Sequence, residues 1–482
     1  MSSKSIGKNT FYNTIKSVSS IIFPLITFPY ISRVLLPDNV GKINFGISVV
    51  AYFSLIASLG ITTYAIRECA KCRDDRGELS KTASEIYSLN IVTTLISYFF
   101  LGVTLLLFQD FENYRLLIII QSLSIFFSTL GTDWINNAME DFGYITARTL
   151  VVQLVSLVLM FAFVHEPDDY IIYAVILLVS SSGAQIFNVF YRRRYCDISF
   201  TKNIQWRKHF KPVILLFSMQ LAMIVYVNSD TTMLGFMKGD TEVGLYSIPV
   251  KIYNIVQNLV TASWLGIVPQ MAIGFAQKDY ASLNKLLRYA FNYTLILGLP
   301  CLVGICLMSE GIVLIIAGEA YLGCVLSLRI IMLALLASFV GGFLTNLIML
   351  PSGRDKLSFI SSVISAILNL GLNFVLIPIY GLNAAAFTTF VSMFVGILIK
   401  LPFVEKKLKF DYMKKDMWSP VIGCIAMAMV IYGIDSMTEG TFIRTVSQGV
   451  SCVVVYVAIL LFLRNEFMIQ MVAGIKKKFM RG

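Results

Sequence analysis

Residues 86–108 read IYSLNIVTTLISYFFLGVTLLLF, a run without one charged side chain. A helix of that length, rising 1.5 Å per residue, crosses a hydrocarbon core of about 30 Å, whereas barrel strands would show alternating segments of about ten residues. In lipid every backbone N–H and C=O must be bonded within the protein, which leaves helices as the solution for runs this long. Working outward, comparable runs occur at 12–32, 43–66, 115–137, 145–164, 170–190, 212–233, 246–268, 288–308, 325–349, 357–377, 382–402, 417–436 and 445–463, making fourteen. A chain that is 57% hydrophobic and 14% charged fits that reading. The sequence predicts an all-α integral membrane protein with about 14 transmembrane helices.

The net charge of +11 does not point to nucleic acid, because the basic residues are scattered through short loops instead of one basic domain. Positive-inside sorting accounts for them. With Met1 in the cytosol, most of the 39 Lys and Arg fall on the inner side. Arg33, Lys42, Arg115, Lys238 and Arg444 fall outside, and Lys16, Lys251 and Arg329 fall within spans. An even number of spans leaves both termini cytosolic, in keeping with the Lys476-Lys477-Lys478 tail. The eight cysteines are scattered and read as small packing residues; Cys69 and Cys72 form a lone C-x-x-C with no second pair or histidine near it. No metal site and no cofactor are expected. The first run lacks a cleavage site and reads as a retained span.

No loop is long enough for a soluble catalytic domain. The longest inner connection, 191–211, carries Arg192-Arg193-Arg194, Lys202, Arg207, Lys208 and Lys211. Beyond it the chain echoes its own beginning. Leu36-Pro37-Asp38-Asn39-Val40-Gly41 leads into span two, and Gly239-Asp240-Thr241-Glu242-Val243-Gly244 leads into span eight, with the Val-Gly at an offset of 203. Gly143, after span four, is matched by Gly353, after span ten. The expected organisation is two six-helix pseudo-repeated halves in parallel orientation, 1–200 and 201–410, with a C-terminal helix pair at 411–482.

Charges within spans cost a few kcal/mol each and normally face partners or wet cavities. In span one Asn9, Lys16, Ser20 and Thr27 form one polar stripe at 100° per residue; in span eight Ser247, Lys251, Asn254, Asn258 and Thr261 do the same. Span four adds Asp133 and span seven Asp230. Two readings fit. In one, the lysines snorkel to headgroups or pair with the acids structurally. In the other, Lys16, Lys251, Asp133 and Asp230 line a central cavity, with Ser20, Thr27, Asn254 and Asn258 beside them. Arg33, Lys42 and Arg329 are either further cavity cations or local partners of Asp38, Glu310 or Glu319. Pro24 and Pro29 predict a bend in span one. Asn369 and Asn373 read as glue between helices.

Pro29-Tyr30-Ile31-Ser32-Arg33-Val34-Leu35 followed by Asn39-Val40-Gly41 resembles the first-span signature of Wzx-type polysaccharide (O-antigen repeat-unit) flippases, of the multidrug/oligosaccharidyl-lipid/polysaccharide exporter superfamily. Similar in order are Gly60-Ile61 with Tyr64 and Arg67-Glu68, Asp133-Trp134 before Glu140, Ser229-Asp230 with Met233-Leu234-Gly235, Val243-Gly244-Leu245-Tyr246, and Asn383-Ala384-Ala385-Ala386. One residue departs from the pattern: Leu36 stands where members usually have glycine. The resemblance implies alternating-access transfer of an undecaprenyl-diphosphate-linked oligosaccharide from the cytosolic to the outer leaflet of a bacterial cell inner membrane, for lipopolysaccharide and related polymers. It further implies antiport coupled to a proton or sodium gradient, and a polysaccharide polymerase and chain-length regulator as partners. Lys16, Lys251 and Arg33 would meet the diphosphate or acidic sugars, and Asp133 and Asp230 would couple the ion. A multidrug or cation exporter would want an acidic cavity free of lysine. A membrane polymerase or ligase usually carries a large outer loop, and 309–324 is too short, so no enzyme is expected.

Overall fold

The first helix, α1 (Ile6–Ser58), runs through Pro24, Pro29 and Pro37 and leaves helical geometry at one residue, Leu36, with φ 61° and ψ 169°. The departure from helical geometry within α1 thus falls beside Pro37 and not at Pro24 or Pro29, where the sequence predicted a bend. Proline disfavours α geometry in the residue before it, which accounts for the break at Leu36, ahead of Pro37. Spans one and two consequently form one element, joined without a loop.

In this computed structural model the described residues are 6–203, 205–410, 412–436, 440–465 and 467–469. The tail with Lys476-Lys477-Lys478 lies outside them. After α1 come α2 (Ile61–Lys71), α3 (Arg76–Leu107), α4 (Arg115–Gly131), α5 (Trp134–Ala138), α6 (Phe142–Phe163), α7 (Tyr170–Leu178), α8 (Ala184–Tyr191), α9 (Trp206–Lys238) and α10 (Asp240–Thr261). Then follow α11 (Val268–Gln277), α12 (Tyr280–Leu307), α13 (Ser309–Ile316), α14 (Val325–Gly342), α15 (Asp355–Tyr380), α16 (Leu382–Lys400), α17 (Tyr412–Asp435) and α18 (Thr441–Phe462). Among the described residues 12 helical stretches are long and apolar enough to cross a membrane, or 13 if the pair Asp240–Trp264 and Val268–Gln277, bent by 44°, counts as one more. The fourteen runs read from sequence differ from this count chiefly at the start, where Thr14–Lys71 is a single stretch of 58 residues.

Contacts divide the chain into Met1–Gly244 and Leu245–Gly482. The division falls after α9 and not within 191–211, because α9 packs on α1 and α2. In the first unit α1 also packs on α3, α4 and α6, and α2 packs on α5. One end of this unit is closed by a core of Ile61, Tyr64, Leu79, Ile86, Trp134 and Val213, into which Cys69, Cys72 and Cys196 are packed as small side chains. In the second unit α16 packs on α14 and α15, and α12 on α14. The hairpin α17–α18 joins through α12 and α13, around Ile296, Cys424, Met427, Cys452 and Tyr456. Asn369 and Asn373 are fully buried, and Asn373 accepts a hydrogen bond from the Thr388 hydroxyl, which ties α15 to α16 as expected of helix glue.

The 203-residue echo has a physical counterpart within the first unit. A Cβ on Gly41 would lie 1.8 Å from the Asp240 carbonyl oxygen, and one on Gly244 would lie 1.9 Å from the Pro37 carbonyl oxygen. Each glycine of the pair thus admits the backbone that precedes the other. Thr241 donates to the Asp38 carboxylate at 3.4 Å across the same crossing.

Two outcomes follow for purified protein in detergent. Gly41→Ala and Gly244→Ala should each destabilise it by about 3 kcal/mol or more, because backbone carbonyls cannot yield as a side chain can. The double variant should cost less than the sum, since the first methyl already opens the crossing. Leu36→Gly should stabilise by about 1 kcal/mol, because φ near +60° with ψ near 180° is strained for any residue with a Cβ. Thermal unfolding measures both; a lowered midpoint for Leu36→Gly would contradict the strain.

Candidate functional site

Asp133 owes its position to the residue before it. Thr132 ends α4 in a left-handed conformation, φ 46°, so that Asp133 opens the short helix α5. Arg192 locks that turn by donating to the Leu130 carbonyl and to the Thr132 hydroxyl, both at 2.8 Å. Beside it lies a polar cavity of about 180 Å³, lined by Ser54, Ser58, Asn90, Thr129, Asp133 and Gln185 among others. Asn90 and Thr129 are already committed, to the Ala57 carbonyl at 2.9 Å and to the Thr94 hydroxyl at 2.7 Å. Trp134 Nε1 and Gln185 Oε1 are buried with no protein partner among the described residues. Buried polar atoms at a cavity of this size are satisfied by water or by a passing solute.

The Asp133 carboxylate accepts from Arg148 Nη2 at 2.6 Å, with the arginine side chain 5% exposed and the aspartate 29%. Arg148 lies inside α6 and sits over the Tyr144 ring, 5.3 Å from its centroid. Of the two sequence readings, ion pairing holds for Asp133, and the partner is Arg148. Sequence reasoning passed over this arginine, although it falls within the run 145–164 and could have been found by asking which acid neutralises it. Lys16 is half-buried on α1, one turn beyond Tyr12, whose carbonyl accepts from the Thr146 hydroxyl of α6 at 3.1 Å.

The remaining site residues are spread along α1, α9 and α10. Ser20 is exposed and donates to the Ser17 carbonyl; Thr27 is buried and donates to the Phe23 carbonyl. Neither lines the cavity beside Asp133. Arg33 is exposed and donates to the Pro29 carbonyl at 2.8 Å. Lys42 pairs with Asp38 at 2.7 Å, the local-partner alternative. Asp230 is buried on α9 in the turn that also carries Thr232, whose hydroxyl bonds Ser48 at 2.9 Å. On α10, Tyr253, Val256 and Val260 are buried, while Lys251 is half-buried and Asn254 and Asn258 are exposed. Of the polar stripe read from sequence, Asn254 and Asn258 therefore lie on the open face of α10, Lys251 and Thr261 are half-buried, and Ser247 is buried.

A second polar cluster was invisible in the sequence. His209 is completely buried, with Nε2 at 2.9 Å from Glu85 and Nδ1 at 2.7 Å from the Tyr64 hydroxyl. Neutral histidine satisfies both contacts if Nε2–H donates to Glu85 and Nδ1 accepts from Tyr64. It fastens α2 and α3 to the start of α9 at the end of the unit where its charged loops lie. Next to it, outside the spans, burial pushes the Cys196 thiol up to about 11, so this cysteine is a packing residue and not a reactive one.

Breaking the Asp133–Arg148 pair tests its weight. Arg148→Ala should destabilise by about 2 kcal/mol, less than a fully buried pair because Asp133 is partly exposed, whereas replacing both with leucine should recover most of the loss. Thermal unfolding of the single and double variants decides it, and an unchanged single variant would show that the pair carries no stability.

Residues 6–275 match the family model described as polysaccharide biosynthesis protein, and residues 243–451 match that of the lipid II flippase MurJ. A protein named as an O-antigen transporter in Escherichia coli (strain K12) is 23% identical over 316 residues, covering 62% of this chain and 75% of that protein. Among solved structures, a lipid II flippase MurJ in an inward-closed conformation superposes with a TM-score of 0.74 at 18% identity, over 94% of this chain and 98% of that one. An inward-facing multidrug resistance MATE family transporter of the MOP superfamily gives 0.60 at 15% identity, over 84% and 94%. These two structures share the fold with this chain. With more than half its length on the first family model, the chain belongs to the polysaccharide biosynthesis protein family.

Proposed function

We propose that the protein is a flippase that carries a lipid-linked oligosaccharide from the inner to the outer leaflet by alternating access. The observation that carries this reading is the pair of family matches, which together run from residue 6 to residue 451 and join polysaccharide biosynthesis to a lipid II flippase. The physics requires a wet path: a charged, hydroxylated headgroup does not cross hydrocarbon unaided, while its polyprenyl tail can stay in lipid. The open face of α10 offers such a path through Lys251, Asn254 and Asn258. An apolar groove of about 430 Å³ in the second unit, lined by Leu295, Leu299, Leu336, Val340, Phe343 and Phe410, offers surface for the tail.

In this reading Lys251, Lys16 and Arg33 meet the diphosphate, because ammonium and guanidinium groups supply charge and donors to phosphoryl oxygens. The cargo is an undecaprenyl-diphosphate-linked repeat unit, the membrane is a bacterial inner membrane with both termini cytosolic, and a polymerase with a chain-length regulator takes the product. Coupling to a proton or sodium gradient falls to the two acids of spans four and seven, Asp133 and Asp230. The coupling ion can drive the cycle only through unequal affinity for the inward-open and outward-open states. The MATE likeness, at 15% identity, concerns shared architecture.

The test is complementation of a flippase-null strain at matched expression, read as surface polysaccharide. Lys251→Ala should lower output about tenfold or more and Lys251→Arg should restore it, since one charge-assisted contact is worth roughly 1.5–3 kcal/mol. Full output from Lys251→Ala would remove Lys251 from the site. In vesicles, Asp230→Asn should abolish the response to an imposed proton or sodium gradient; a retained response would take coupling away from Asp230.

A further inference from the structure

The hairpin α17–α18 has no counterpart in the repeat, yet it completes a cavity. Where it meets the far ends of α12 and α14 lies a polar space of about 310 Å³, lined by Glu310, Arg329, Tyr432, Asp435, Arg444 and Gln448 among others. The walls are close-packed: a Cβ on Gly311 of α13 would lie 2.1 Å from the Thr445 hydroxyl of α18. Gln448 is anchored by donating to the Ile431 carbonyl at 3.1 Å. Two cations and two anions face this space.

Their pairing is incomplete. Arg444 takes Asp435 at 3.3 Å. Arg329 does not take Glu310: its Nε donates to the Ser309 hydroxyl at 2.8 Å, and among the described residues its two terminal nitrogens have no protein partner. Glu310 likewise forms no ion pair among the described residues. An arginine whose inner nitrogen is anchored presents the outer edge of its fork, which suits phosphoryl oxygens. The Glu310 carboxylate, exposed on the same cavity, suits a donor cation. A multiply charged anion such as a diphosphate would instead meet Glu310 and Asp435 as like charges.

We propose that this cavity holds the headgroup of a zwitterionic phospholipid, its phosphate on Arg329 and its primary ammonium on Glu310. The two acyl chains lie against exposed apolar side chains of the same hairpin, Phe442, Ile443 and Val446 on α18 and Met429 on α17. The hairpin then serves as a wall for a resident lipid. The site is distinct from the substrate path and rests on the spanning of the membrane, not on the identity of the cargo.

Native mass spectrometry of the full chain, stripped of lipid and then titrated with defined lipids, tests this. Phosphatidylethanolamine should be retained in preference to phosphatidylglycerol, which lacks the ammonium, and to phosphatidylcholine, whose quaternary nitrogen has no N–H to give Glu310. Arg329→Gln and Glu310→Gln should each reduce that retention about tenfold, while leaving phosphatidylglycerol binding unchanged or raised in the Glu310 variant. Equal retention of all three lipids, displacement by inorganic phosphate alone, or unaltered binding in both variants would overturn the proposal. Should Arg329→Gln fail to fold, Glu310→Gln carries the decision. The readout needs no transported substrate, so failure of the flippase reading would leave it standing.

Discussion

A polar group inside hydrocarbon has no solvent to fall back on, and leaving it unpaired costs several kcal/mol. That constraint shapes the first unit more than apolar packing does, because lipid competes with the core for every leucine. Side chains of α3 and α4 reach across to carbonyls of α1: Ser97 to Phe53 at 2.6 Å, Thr93 to Ala57 at 2.6 Å, Gln121 to Ile43 at 3.0 Å. In the second unit Ser361 of α15 reaches Gly396 of α16 at 3.0 Å. These bonds are directional, so they set the register of helices whose apolar surfaces would tolerate sliding.

The same constraint decides how much of the architecture could be read in advance. Uncharged runs such as 86–108 identify spans because hydropathy is a local property of consecutive residues. The break at Leu36 was legible in part, since the residue departs from a glycine pattern and precedes Pro37, but the φ of 61° belongs to the folded chain. Glu85 and His209 lie 124 residues apart and each looks like a charge at the edge of a loop; their pairing exists only once the fold brings the start of α9 within side-chain reach of α3. Arg148 was hidden differently, close enough to a span end to pass for a loop residue although it is buried against Tyr144 and Asp133.

Of the proposed site, the stripe on α10 was the most readable part, because helical periodicity alone puts Lys251, Asn254 and Asn258 on one face. What periodicity could not tell was which face the unit would cover, and burial of Tyr253, Val256 and Val260 answers that. Span one was less readable. Ser20 and Thr27 share its stripe, yet one is exposed and the other buried, since neighbours contact a helix differently along its length.

The crossing of Gly41 and Gly244 is reciprocal: exchanging the two repeat positions leaves the contact unchanged. Self-complementary surfaces of that kind are characteristic of two-fold homodimers, in which one patch must fit its own copy. A side chain added at either position is therefore felt by the backbone of the other, so the two glycines of the Val-Gly echo constrain each other and neither is free to change alone.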